Sequence, residues 1–319
     1  MFRMVLALWL GFAATAAHAQ DGYPSRNITL VVPYAAGTAP DFVARQFADA
    51  LSQRLKQPVV IESKLGAGGL IGTEYAAQQK PDGYTLFLGS KDTNAVLGHL
   101  YTKRNFDPNK ALVPISLLAT IDNAIVVGPE LGINSLKELI EASKKGRNFT
   151  FASPGVGTNL HLLGELVRER ENLNFTHVPY RAFPTAFQDV MTGRVDLVVC
   201  GVPPIVSLLA AKKLKALVVT GPKRVAALPD VPTMKELGYD DLTFVGWFGL
   251  LAPAGTPQPI LDKLNAAAKE ISQEPGYREK LEKIFMTPVG GSAAEFKTLI
   301  DSESTRMGEL IRQVGVKLE

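Results

Sequence analysis

A glycine-bearing turn joining a short apolar strand to an amphipathic helix occurs twice in this chain, and it constrains the fold more than any other feature. Ile28-Thr29-Leu30-Val31-Val32 is a β-branched apolar run of buried-strand length. Asp41 to Leu55 then carries Ala44, Phe47, Ala48, Leu51 and Leu55 on one helical stripe. The connection contains Gly37, and Pro40 suits the first helical position. Ala152-Ser153-Pro154-Gly155-Val156-Gly157-Thr158-Asn159 repeats the pattern between the strand Phe149 to Ala152 and the helix Leu160 to Glu171. A helix that starts this way aims unpaired N–H groups and the positive end of its dipole out of the sheet's carboxyl edge. Such a place holds an anion without needing a cationic side chain.

The first nineteen residues read as an export signal. Arg3 supplies the positive start, Met4 to Ala14 the apolar stretch, and Ala17-His18-Ala19 the small-residue cleavage site. An uncleaved N-terminal anchor is the alternative; a lipid-anchoring motif is excluded because the one cysteine is Cys200. The roughly 300 residues that follow exceed one ordinary core, so two domains are expected. Net charge is +3, or +2 once Arg3 is removed, too balanced to suggest nucleic acid or an anionic membrane as partner. A single cysteine excludes an internal disulfide and thiolate metal cages. It lies in Val195 to Cys200, a buried-strand pattern that reads as an inert thiol.

Strand and helix alternate along nearly the whole chain, which argues for parallel sheets covered by helices. Val59 to Glu62, Tyr84 to Gly89, Ile115 to Ala119, Ala124 to Val127, Phe175 to Val178 and Ala216 to Thr220 are further strands. Ser135-Leu136-Lys137-Glu138 and Ser292-Ala293-Ala294-Glu295 are capping boxes that open helices, the second running to about Val314. Ser90 to Asn94 opens another helix, with Asp92 or Thr93 as its cap. The chain is expected to pass between domains near Thr120 to Asn123 and to return along the apolar stretch Leu242 to Pro253.

No phosphate-binding lysine loop, HExxH, GxSxG or paired-cysteine zinc spacing occurs. Gly66-Ala67-Gly68-Gly69-Leu70-Ile71-Gly72 approaches a dinucleotide fingerprint, but its third glycine falls one residue late, and a packed helix entry explains it as well. No cofactor and no metal are expected. His99 and His177 lack partners at ligand spacing and read as structural. His161, just inside the second helix, either donates to a ligand oxygen or caps its own loop. Ser153 with His161 as base would make a nucleophile, although the sequence shows no oxyanion pocket. Lys91 and Arg181 stand on turns beyond strand ends, where a cation steers or binds a carboxylate, or is simply solvated. Asp41 would repel an anion and is better placed to cap its loop, while Tyr34 walls an apolar pocket.

Several blocks of this chain resemble the Bug (TctC-like) family of solute-binding proteins from tripartite tricarboxylate transporters. They are Tyr23-Pro24-Ser25, Val32-Pro33-Tyr34-Ala35-Ala36-Gly37 with Asp41, Gly66-Ala67-Gly68-Gly69, Pro81 to Leu86, Val178-Pro179-Tyr180-Arg181, Leu228 to Thr233 and Trp247 to Pro257. The resemblance implies an α/β Venus-flytrap periplasmic binding protein of two domains, each a mainly parallel sheet flanked by helices, with the ligand in the cleft. Its domains would be residues 20–121 plus 247–319, and 122–246, after a signal peptide at 1–19. The first-domain pocket would fall on Tyr34, Ala36, Gly37, Thr38 and Asp41, and on Ser90 and Lys91 through Thr93. The second-domain pocket would fall on Ser153, Gly157, Thr158, Asn159 and His161, on Arg181 and on Cys200.

This implies a periplasmic, monomeric, non-enzymatic protein. It would capture a small organic carboxylate (di-, tri- or aromatic) and deliver it to the transporter's membrane subunits. A sensor kinase is the alternative receiver, and an exported hydrolase the alternative function. Four departures bear on the ligand. Gly37-Thr38 stands where the family commonly has two glycines, and Lys91 where it has a small turn residue. Cys200 stands where an acidic residue is frequent, which disfavours an amino-bearing ligand, and Phe183 replaces a small residue and so favours a bulkier or aromatic acid.

Overall fold

The computed structural model describes residues 22–101 and 106–316, so the expected signal at 1–19 lies outside the described residues. Ten strands follow in order: β1 (Ile28–Val32), β2 (Val59–Ser63), β3 (Thr85–Ser90), β4 (Leu112–Val127), β5 (Phe149–Ser153), β6 (Phe175–Pro179), β7 (Leu197–Gly201), β8 (Lys215–Val219), β9 (Val245–Pro253) and β10 (Met286–Pro288). They form one mixed sheet in the order β2-β1-β3-β9-β4-β7-β5-β6, with β10 and β8 also pairing with β4.

The long strand β4 organises the molecule. From Leu112 to Asp122 it runs antiparallel to β9; from Asn123 to Val127 it runs antiparallel to β7 instead. The change of partner between Asp122 and Asn123 falls in the expected crossing segment. The expected break between Ile115–Ala119 and Ala124–Val127 is absent, because Thr120 to Asn123 stay extended and keep their ladder partners. The parallel pairs are β1–β2, β1–β3, β5–β6 and β5–β7, while every pairing made by β4 and β9 is antiparallel. The sheet is therefore α/β with a parallel set at each end and antiparallel crossing strands between.

Helices cover the sheet because each buries an apolar stripe on it. Ala39–Leu55 buries Val43, Ala44, Phe47, Ala48 and Leu51 and stops at Lys56, whose backbone is left-handed. Ser135 and Ser292 cap their helices by accepting from the Glu138 and Glu295 N–H groups. The C-terminal helix Ala293–Val314 sends Phe296, Ile300, Met307, Leu310 and Ile311 into an apolar cluster with residues of both sheet halves, among them Phe87 and Phe151. The segment after β3 departs from expectation: Asp92–Val96 is a wide π turn that continues into the short helix Leu97–Leu100.

Candidate functional site

The carboxyl ends of β1 and β3 share one sheet edge because the two strands are parallel, and those of β5 and β6 do likewise. Beyond β1 the chain turns at Gly37, whose φ of 81° belongs to the left-handed region that glycine adopts freely. The Gly37 N–H donates to the buried carboxylate of Asp41 at 2.9 Å, and Arg45 Nε donates to the same oxygen at 2.9 Å. Thr38 Oγ1 donates back to the Ala35 carbonyl at 2.7 Å, and Ala35, Ala36, Gly37 and Thr38 remain exposed. Tyr34 turns inward, its hydroxyl 2.5 Å from Ser90 Oγ. Burial raises that phenol's pKa, and nearby Asp92 raises it further.

The second turn uses the same device. Gly157 has φ 79°, and its N–H donates to Nδ1 of His161 at 3.1 Å. An accepting Nδ1 places the ring proton on Nε2, which lies 3.7 Å from the Glu165 carboxylate. His161 packs 4.0 Å from the ring of His177, with Phe151 beside both. Burial, with Arg168 nearby, lowers the His161 pKa to about 4; burial and the neighbouring His161 lower that of His177 to about 4. Both rings are neutral at physiological pH.

Between the turns stands Asp92. The Asn159 backbone N–H donates to its Oδ1 at 2.8 Å and the Asn159 side-chain amide to its Oδ2 at 2.8 Å. A carboxylate from the segment after β3 thus sits on the first turn of the helix Asn159–Glu171, where the helix dipole favours negative charge. Burial raises the Asp92 pKa, and the two Asn159 donors oppose that shift. Beside it opens a cavity of about 110 Å³ whose lining includes Gly68, Asp92, Leu97, Leu100, Val156 and Thr158. It therefore draws on both halves of the sheet.

Two of the expected ligand contacts are corrected. Lys91 is not a solvent-facing cation: it is 1% exposed, its Nζ pairs with Glu303 at 2.5 Å and lies 3.9 Å over the Phe244 ring. Burial, only partly offset by Glu303, lowers its pKa to about 8. Cys200 is not open to a ligand: it is wholly buried in an apolar cluster with Phe187, Val190 and Val198, and burial pushes its thiol pKa up.

The proposed nucleophile pair is corrected too. Ser153 Oγ lies 2.7 Å from Nε2 of His177, not against His161, and Ser153 is wholly buried. Arg181 is exposed just beyond the end of β6. Ala36, Gly37, Thr38, Gly157, Thr158 and Asn159 sit on the two turns, but the Gly37, Gly157 and Asn159 N–H groups are already accepted by side chains of the chain itself. Asp92 as a bridging carboxylate, His177 as the partner of Ser153 and Glu303 as the partner of Lys91 were not foreseen. Asp92 alone carried a signal, as a carboxylate inside the expected pocket segment Ser90 to Thr93. Among the described residues no cluster of His, Cys, Asp and Glu could hold a metal ion.

Strand carboxyl ends from two sheet halves meeting around a cleft, with antiparallel crossing strands behind, define a periplasmic binding protein fold. The chain belongs to the tripartite tricarboxylate transporter family of receptors, TctC, whose pattern it matches over residues 43–316. It is 32% identical over 318 residues to Protein BugT of Bordetella pertussis, covering 99% of this chain and 98% of that one. A solved R. palustris protein with adipate superposes with a TM-score of 0.83 at 29% identity, covering 92% of this chain and 99% of that one. MatC from Rhodopseudomonas palustris with bound malate gives 0.80 at 29% identity, covering 91% and 100%. The periplasmic binding protein BugD superposes with a TM-score of 0.80 at 32% identity, covering 93% of this chain and 100% of that one, and no described helix here is long and apolar enough to cross a membrane.

Proposed function

We propose that this protein captures a small organic carboxylate between two domains, residues 20–121 plus 247–319 and residues 122–246, and delivers it to the membrane subunits of a tripartite tricarboxylate transporter. Export to the periplasm through the segment at 1–19 places it where such a guest is met. The observation that carries this reading is the cavity beside Asp92, lined from both sheet halves, in a chain whose relatives are described with adipate and with malate. Closure of one half on the other forms the cavity, so a guest that touches both favours the closed form. The exposed Ala36 to Thr38 turn and Arg181 supply polar contacts at the rim, with Tyr34 and Ser90 behind them.

Calorimetric titration of the purified mature chain with mono-, di-, tri- and aromatic carboxylates tests this. Saturable one-site binding of at least one acid is expected, and silence across the whole panel refutes it. Loss of uptake of that acid in a deletion strain identifies the transporter as receiver. Intact uptake with altered kinase-dependent transcription identifies a sensor instead.

A further inference from the structure

Asp92 is a carboxylate lining the very cavity that is read above as holding a carboxylate guest, and like charges confined in a partly desolvated space repel. Its two oxygens are held at 2.8 Å by the Asn159 N–H and the Asn159 side-chain amide. The leading backbone donor of that helix, at the natural seat for a guest's anionic end, is thereby taken, and the His161 N–H is taken by the Thr158 hydroxyl. The neighbouring Gly157 N–H is taken as well, by His161. Nor is there a cation among the described residues that line the cavity. Lys91 is turned away into its pair with Glu303 beneath Phe244, and His161 is neutral. What remains around the cavity is mostly apolar: Val96, Leu97, Leu100 and Val156.

We infer that Asp92 determines specificity: it occupies the place a guest's second carboxylate would need, so the protein takes monocarboxylates with an apolar or aromatic body and discriminates against dicarboxylates. The guest's one carboxylate is left the exposed turn at Ala35 to Thr38, and its body the apolar wall opposite. This rests on the carboxylate-binding reading and narrows it, in contrast to the relatives described with adipate and malate, both dicarboxylic acids.

Calorimetry with benzoate, phenylacetate and hexanoate against adipate and malate decides it. Wild type should bind its best monocarboxylate at least tenfold more tightly than either dicarboxylate. In Asp92→Asn and Asp92→Ser that ratio should fall at least tenfold, with circular dichroism confirming that each variant is folded. A dicarboxylate bound by wild type as tightly as the best monocarboxylate overturns the inference and leaves the carboxylate reading standing. A ratio unchanged within twofold in a folded variant also overturns it. Should neither variant fold, the wild-type ranking decides alone. Failure of all five acids to bind overturns the inference, and the carboxylate reading falls with it only if the whole panel above is silent as well.

Discussion

The two glycine turns are built on one plan and put to different use. In each, a glycine with φ near +80° donates its N–H to the side chain four residues on, Asp41 in the first turn and His161 in the second. In each, a threonine follows the glycine and donates its hydroxyl to a carbonyl three residues back. The surroundings separate them. The first acceptor is a carboxylate paired with Arg45, and its turn lies open to solvent; the second is a neutral imidazole packed at a tilt against His177, and its helix terminus lies under Asp92. Identical backbone geometry thus yields one open turn and one that the protein has already filled with its own anion.

The sharpest way to break this comparison is to remove both turns. Proline cannot adopt positive φ and has no N–H to give Asp41 or His161. Gly37→Pro and Gly157→Pro should each abolish measurable carboxylate binding, a loss above 100-fold by calorimetry. They should differ in stability. Gly157→Pro strands a buried imidazole acceptor and strains an enclosed turn, at about 2–4 kcal/mol in urea unfolding, whereas the exposed first turn has room to rearrange at lower cost. Wild-type affinity in either variant would show that its turn does not border the guest.

Asp92 covers the second turn because Lys91, its neighbour, is pinned inward. Removing one partner of a buried ion pair leaves the other charge uncompensated, so Lys91→Met should destabilise the fold by about 3 kcal/mol. Arg306, 3.8 Å from the other Glu303 oxygen, keeps the loss from being larger. Restoring the balance with Lys91→Met/Glu303→Leu should recover at least half of it. Amide exchange read by NMR should speed up at Asn159 in the single variant, because the segment that carries its acceptor is loosened. Unchanged exchange there would uncouple Lys91 from the second turn.

Acid should also tell the turns apart. The folded pKa of about 4 for His161 and His177 lies below the ordinary histidine value of 6.5. The unfolded chain therefore takes up protons first, and stability present at neutral pH is lost as pH falls from about 6.5 toward 4. For buried His161 alone the linkage amounts to about 3 kcal/mol across that window. Glu165, Arg168 and Ser153 face the histidine pair: Glu165 opposes the His177 shift and moderates the change, whereas Arg168 deepens the His161 shift and enlarges it. Urea unfolding at pH 7, 5.5 and 4.5 measures it. His177→Phe should shrink the acid loss, and an undiminished loss would place its origin outside the second turn.

What could be read from the sequence was local. Both turns, the helices behind them and the Ser135 and Ser292 caps announce themselves within a few residues, since hydrophobic period and capping chemistry act at that range. Thr120 to Asn123 read as a crossing between two strands, because two apolar runs flank it; that one unbroken strand changes partner there could not be read. What could not be read depends on docking. Asp92 meets Asn159 across 67 residues, a contact made only when the sheet halves meet. Lys91 follows a strand end, where a cation normally faces water; it is enclosed because the C-terminal helix brings Glu303 and Arg306 over it. His177 reaches Ser153 because the β5–β6 register sets Phe151 opposite His177 and Ser153 opposite Pro179, and no spacing rule supplies that register.

The smallest expected effect is the finest test of whether the turns differ in the way described. Thr158 is a working N-cap: besides donating to the Gly155 carbonyl at 2.8 Å, its oxygen accepts from the His161 N–H at 3.3 Å. Thr38 occupies the equivalent position but makes no such cap bond. Thr158→Ala should therefore cost about 1 kcal/mol, the usual value of a lost cap, and Thr38→Ala about 0.5 kcal/mol, the net value of one exposed hydrogen bond. Paired urea melts at pH 7 resolve a difference of that size when both variants are compared with one wild-type preparation. Equal costs would mean that the second helix terminus draws its order from Asp92 above it rather than from its own cap. In that case the Asp92→Asn variant should make Thr158→Ala more costly than it is in wild type, so the pair of measurements separates the cap from the carboxylate that covers it.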